Sequence, residues 1–475
     1  MPFEQPRALI GYDTPPPVAN ATGRGGVPGA GGLSPQIRAS LGVYIQFAPA
    51  LAKPDPGPSD AGQGEEDALL RHGQKWEMDA RGANKSCKHR PYVSAVTNAQ
   101  GRSCLLPRYV APAALPPGFQ GAVADEPTLR QLLRFVHLVP HVSDMEAFET
   151  PANVDIWTTS AEFLDLCAGD SEEHALLLVG YLLTLGVEAY IVLGVSAADA
   201  NAAMVFTPGG QGRAAQNMTR HGGRNGDPNA YAPMLEDALM WDPFSGEVYS
   251  VYDSSCSACM GEIAVVFNAD NIWANVQPRA RPHEMHWNLN DSAHWKPYFS
   301  VTGFAPRSLP TCQKTIAYQS YEPAFYERIA SAVEREAMDA VVRIRSRQHT
   351  PFNRRVSRQL KEMLRDIEGH VLMSPDEAAM GISLGGGKGR VGTLTELHVN
   401  ELGNMLDGYT VTGCPINLRF VDAAEVRNAI EETAIADTSR SDVEFAVATH
   451  VEPYGATFVC SVWIYVARLT KNSRY

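Results

Sequence analysis

An α+β fold is predicted, and three observations carry it. Residues 169–186 read as a single buried helix, short apolar segments between 187 and 267 read as strands, and residues 444–468 alternate around a Pro453-Tyr454-Gly455 turn. The helix follows from Ala175, Leu178, Val179, Leu182, Leu183 and Leu185, which keep the helical period and nearly encircle the axis. Asp170 or Ser171 caps its start, Glu172 and Glu173 suit its positive dipole end, and Gly186 stops it. The strands are expected at 187–195, 203–207, 238–241, 247–252 and 263–267, with a long exposed loop at 208–233. Phe458, Cys460, Val462, Ile464 and Val466 fall on one face of the last strand.

The rest of the chain is read around these elements. Its 475 residues allow two or three domains, and 44% apolar content fills ordinary cores. Residues 1–65, rich in Pro, Gly and Ala, read as a disordered tail with one apolar patch at Leu41–Phe47. Globular texture begins near Trp76, and 129–139 and 161–167 read as short helices. Two amphipathic helices are expected within 322–371, then a hinge at Gly385–Gly389, which lacks the spacing of a phosphate loop. The expected division is a tail at 1–65, a domain at 70–300 and a helical and α+β module at 315–475. Net charge −13 argues against a general nucleic-acid or membrane-surface binder, and no apolar run approaches the ~20 residues a membrane span needs. The acidic N-terminus lacks the apolar run of a signal peptide, and eight scattered cysteines suit reduced thiols in a cytoplasmic chain.

A helix opening Gly-x-nucleophile, then a strand with His-Ala and another with Asp-Pro, is the layout of the transglutaminase-like branch of papain-type hydrolases. There a thiol at a helix N-terminus is acidified by the dipole, a histidine takes its proton, and an aspartate fixes the imidazole tautomer. Laid on this chain, the nucleophile position is Ser171, the histidine position is Ala202, and Asp242 keeps the third place. Loss of both nucleophile and base costs roughly 10^6 in turnover in a hydrolase. The expectation is a pseudoenzyme without a cofactor. The rival is a residual hydrolase or acyl-transferase in which Ser171 is served by His221 or His174.

Gly169-Asp170-Ser171-Glu172-Glu173-His174-Ala175-Leu176-Leu177-Leu178 resembles the Gly-Asp-Cys-Glu-Asp-His-Ala-x-Leu-Leu signature of the family of the centrosomal protein of 76 kDa. Leu289–Pro297, Gly408–Ile416 and Ser461–Ile464 resemble further family segments in the same order, so the likeness covers about 70–475. It implies a transglutaminase-like core with a buried helix on an antiparallel sheet. It also implies a protein of centrosome, centriole or basal body, with centriolar or ciliary partners, in control of centriole duplication or cilium assembly. Two departures stand out: Ser171 and Ala202 replace the family's Cys and His, and residues 1–65 are too short for its upstream C2 domain.

Three further patterns stand out in the sequence. Cys256, Cys259, His283 and His286 carry zinc-type ligands, but the spacing is long and chance clustering is the better reading. Glu172, Glu173 and His174 are read as helix-end residues rather than an acid–base cluster. Arg343, Arg345, Arg347, Arg354, Arg355, Arg358, Lys361 and Arg365 stand out in an acidic chain. They are the solvated face of two helices or a dock for an acidic partner such as a tubulin tail.

Overall fold

The computed structural model describes residues 65–144, 155–196, 201–209, 237–372, 402–419 and 422–472. The patch at 41–47, His221 and the glycine run at 385–389 lie outside them. Within the described residues the fold is mixed α+β.

Helix α1 (Asp67–Arg81) precedes strands β1 (Ala95–Asn98) and β2 (Ser103–Leu105). Helix α2 (Glu126–His137) is capped by Asp125, which accepts from the Thr128 N–H at 2.9 Å. Strand β3 (Ile156–Trp157) completes a small sheet in the order β2-β1-β3. Helices α3 (Ser160–Leu166) and α4 (Ser171–Thr184) follow. The central sheet is built from β4 (Tyr190–Val195), β5 (Ala202–Thr207), β6 (Leu239–Asp242), β7 (Glu247–Ser250), β8 (Glu262–Phe267), β9 (Ile272–Asn275) and β10 (Trp295–Pro297). Its order is β10-β9-β8-β4-β5-β6-β7, and every pairing is antiparallel.

Alternation divides this sheet into two cores. Ile191, Leu193, Ala203, Val205, Leu239, Trp241 and Phe267 pack in one cluster with α2 and α4. Val192, Met204, Phe206, Met240, Ile263 and Val266 pack on the other face with Met260 and Trp295. Ser171 through Leu182 are all buried, so α4 is enclosed on every side, as its encircling apolar pattern requires. Gly180 permits the closest approach: a Cβ there would lie 2.7 Å from the Ala113 Cβ, where the Ala113 N–H donates to the Gly180 carbonyl at 3.0 Å. Gly194 is required by a register shift between β4 and β8, since a Cβ would fall 2.0 Å from the Glu262 carbonyl oxygen.

Helices α5 (Cys256–Cys259), α6 (Pro323–Ile344) and α7 (Arg354–Val371) bring the chain to a third sheet. That sheet comprises β11 (Tyr409–Leu418), β12 (Val443–Pro453) and β13 (Cys460–Lys471) in the order β11-β13-β12, with α8 (Ala423–Glu432) between β11 and β12. Val356, Leu360 and Leu364 of α7 pack on Ala446, Ala448, Trp463 and Ala467. The sequence reading missed α1, β1–β3, β9–β11 and α8, all short or weakly patterned except β11. That edge strand is mostly exposed or half-buried and so shows no clear apolar face.

One buried ionic hub joins α2 to the C-terminal sheet. The Arg134 guanidinium donates to the Glu368 carboxylate at 3.2 and 3.0 Å, to Asn417 Oδ1 at 2.9 Å and to Ser461 Oγ at 3.0 Å. Ser461 Oγ donates onward to Glu368 at 2.7 Å, and Tyr454 and Trp463 also donate to that carboxylate. Burial alone would raise the Glu368 pKa; Arg134 and the other donors hold it below its ordinary value.

Glu368→Ala strands a buried guanidinium and is expected to cost about 3–5 kcal/mol in urea denaturation, whereas Arg134→Met/Glu368→Leu recovers part of that loss. A carboxylate with a depressed native pKa stabilises above its unfolded value. The wild-type advantage over Glu368→Gln should therefore be present at neutral pH and shrink as pH falls through the native pKa.

Candidate functional site

The head of α4 is where chemistry was expected. Asp170 is the N-cap: it accepts from the Glu172 N–H, while the Glu173 carboxylate accepts from the Asp170 N–H at 3.1 Å in a capping box. Glu173 also accepts from the Thr158 N–H at 2.8 Å, tying the α4 head to the segment before α3. Ser171 Oγ lies 3.0 Å from Glu172 Oε2 and 3.1 Å from the Asn201 carbonyl oxygen.

Burial, with the nearby Asp170 carboxylate, raises the pKa of both Glu172 and Glu173 well above the ordinary carboxylate value. Both ring nitrogens of His174 meet backbone carbonyls rather than the Ser171 hydroxyl. Its Nδ1 is 2.5 Å from the Asp170 carbonyl oxygen and its Nε2 is 2.9 Å from that of Val139. Burial lowers its pKa to about 4, so the ring is neutral and donates to one of these two.

Strand alternation places the other two positions. Ala202 belongs with Met204 and Phe206 to the core on the face away from α4, while Ala203 and Val205 face the helix. Asp242 follows Trp241, which faces α4, and so falls on the Met240 side. Its carboxylate accepts from the Phe244 N–H at 2.9 Å and from Ser245 Oγ at 2.7 Å, closing the β6–β7 turn. Ser171 therefore meets Asn201, and Ala202 and Asp242 share the opposite face. The β6–β7 turn is also gripped from outside: Phe244 O accepts from His137 Nδ1 at 2.9 Å and from an Arg419 guanidinium N–H at 2.6 Å. Burial, with Arg419 and Arg134 nearby, lowers the His137 pKa to about 3, so this contact uses a neutral ring.

The zinc-type residues do not converge. Cys256 is buried in the second core, His283 Nδ1 is 2.6 Å from Ser257 Oγ, and His286 stacks on His294 at 4.4 Å. Among the described residues, the one cluster of three metal-type ligands is Asp144, Asp155 and Asp170, with ligand atoms within 4.8 Å of one another. The sequence reading missed it, since Asp144 and Asp155 lie far along the chain from Asp170. Asp144 Oδ2 already accepts from the Ile156 N–H, and burial and Asp170 raise its pKa.

The basic run divides. Arg345 is 3% exposed and spent on structure: it donates to the Thr438 and Arg440 carbonyls at 2.6 and 2.9 Å and lies over the Phe445 ring. This removes Arg345 from the set offered to a partner. Arg343, Arg347, Arg354, Arg355 and Arg358 are exposed.

Residues 155–298 match the family model of the CEP76 peptidase-like domain. The chain is CEP76-like. It is 26% identical to the mouse centrosomal protein of 76 kDa over 73% of this chain and 49% of that protein. It is also 26% identical to human protein CC2D2B over 82% of this chain and 24% of that protein. With the Drosophila melanogaster coiled-coil and C2 domain-containing protein 2A it shares 24% identity over 78% of this chain and 24% of that protein. The chain thus spans a quarter to a half of the length of these relatives. The CEP76-like match begins at Asp155, just before β3, and ends beyond β10, so it contains α4 and the whole central sheet.

Glu172→Gln tests the charge state at the α4 head. A carboxyl with a raised native pKa stabilises below its unfolded value, and that stability is lost as pH rises through the native pKa. Wild-type protein should therefore lose thermal stability between about pH 5 and about pH 9 more steeply than Glu172→Gln, whose amide cannot ionise.

Proposed function

We propose that the chain is a non-enzymatic scaffold of centrioles or ciliary basal bodies. In this reading its peptidase-like domain is a degenerate transglutaminase-like (papain-type) core that holds a partner peptide without cutting it. The head of α4 carries the reading. Ser171 Oγ is held between the Glu172 carboxyl and a backbone carbonyl, and His174 is turned to two other carbonyls. Ala202 and Asp242 lie on the far face of the sheet from α4. A serine needs a base more than a cysteine does, and His174, held on those carbonyls, does not supply one.

The name of one relative, a centrosomal protein, supports the cellular half of the proposal. In that reading the partners are centriolar or ciliary proteins and the role lies in centriole duplication or cilium assembly. The division into a tail at 1–65, a peptidase-like domain at 70–300 and a C-terminal module at 315–475 belongs to the same reading. Among the described residues no helix is long and apolar enough to cross a membrane.

A fluorophosphonate probe incubated with the full chain should leave no adduct at Ser171 by intact-mass measurement. An adduct absent from Ser171→Ala would overturn the non-enzymatic half. A tagged chain in dividing cells should form foci with a centriole marker, and a diffuse signal would overturn the cellular half.

A further inference from the structure

We propose that the solvent face of α7, with the chain leading into it, is a docking surface for an extended acidic peptide. Residues 343–361 hold seven cations, Arg343, Arg345, Arg347, Arg354, Arg355, Arg358 and Lys361, and no Asp or Glu, in a chain of net charge −13. Arg345 is buried and the other six are exposed. The neighbouring acids do not neutralise them. The ion pairs nearby are Arg343 with Glu336 at 3.5 Å and, one turn past the patch, Arg365 with Glu362 at 2.6 Å. Arg347, Arg354, Arg355, Arg358 and Lys361 have no ion pair among the described residues.

The spacing selects the partner. Arg354, Arg358 and Lys361 fall at i, i+4 and i+7, one narrow stripe turned away from Val356, Leu360 and Leu364, which pack on the sheet. The helix rises about 1.5 Å per residue, so successive cations of the stripe stand about 6 and about 4.5 Å apart along the axis. Alternate side chains of an extended strand repeat every ~6.6 Å, close to the Arg354–Arg358 spacing and within reach of the long Lys361 side chain. The arginines also crowd the positive dipole end of α7, whose first turn has no acid. That arrangement destabilises an isolated helix and keeps the potential positive. A short peptide can lie on this stripe within one Debye length, about 8 Å, and meets fewer acids of the remainder of the chain than a wide surface would. Duplex DNA or a bilayer presents a wide anionic face, which that remainder repels.

This names a partner chemistry for the scaffold proposed above, yet it rests on α7 and not on the α4 cleft. The two are separable. The test uses the full chain and a fluorescent ten-residue peptide of glutamates at alternate positions, read by anisotropy at two salt concentrations. Arg354→Glu/Arg358→Glu is compared with Arg279→Glu/Arg281→Glu, two exposed arginines between β9 and β10, so that net charge changes equally. We expect the α7 pair to lose about tenfold or more in affinity, the control pair less than about twofold, and added salt to weaken wild-type binding. Glutamates in the first turns of α7 favour the helix dipole, so an unchanged melting temperature excludes misfolding as the cause. Arg354→Gln/Arg358→Gln, which removes the charge without reversal, should lose less. Equal loss in both pairs, no loss in the α7 pair, or tighter capture of duplex DNA or anionic vesicles than of the peptide would overturn the proposal. Ser171→Ala should leave peptide binding unchanged; an adduct at Ser171 would sink the non-enzymatic reading while leaving this one standing.

Discussion

Burial of α4 from Ser171 to Leu182 is the constraint on which the domain depends. A helix buried on every side gives its polar end no water, so each donor and acceptor there needs a partner within the protein. Asp170, Glu172, Glu173 and His174 meet that demand, through the capping box, the Thr158 N–H, the Ser171 hydroxyl and two backbone carbonyls. In a working hydrolase the same position must leave a nucleophile and a base free to react. Here the first turn of the helix is occupied with its own satisfaction.

The second ordering element is the Arg134–Glu368 hub. It takes a side chain from α2, one from α7 and others from β11, β13 and the β12–β13 turn, so that pieces over 200 residues apart share one buried charge pair. Hydrophobic packing joins them as well, since Tyr454 and Val459 enter the core that surrounds α4. Two apolar surfaces can slide with little loss, but a carboxylate with five donors admits one register. The hub therefore sets how the C-terminal sheet seats on the central domain, and with it the position of Arg419 over the β6–β7 turn.

Legibility in the sequence followed the strength of local patterning. The helix at 171–184, the strands of 190–267 and the paired helices of 323–371 all announced themselves through period and capping. The α2 N-cap Asp125 was readable in principle, as a carboxylate just before a Pro-containing first turn. The Glu368 hub was not, because nothing local to either partner signals a contact 234 residues away. The facing of Ala202 was lost for a different reason. A motif aligned by residue identity says nothing of strand parity, and one residue of register moves a side chain across the sheet. Arg345 failed likewise: in sequence it is one of a basic series, and only tertiary structure buries it among carbonyls.

Burying one cation out of the seven in residues 343–361 also clarifies what the others do. Arg345 is neutralised by carbonyl dipoles and the Phe445 ring, contacts that fix the turn between α6 and α7. The turn thus holds an anchor, while among the described residues its exposed neighbours Arg347, Arg354, Arg355 and Arg358 have no ion pair. Random surface charge in an acidic chain would intersperse acids among them, because like charges within a few ångströms raise the free energy of the fold. The nineteen-residue stretch 343–361 excludes acids, and among its exposed cations the described residues pair Arg343 alone, with Glu336. In the docking proposed above, a peptide bringing carboxylates at strand spacing would relieve that cost.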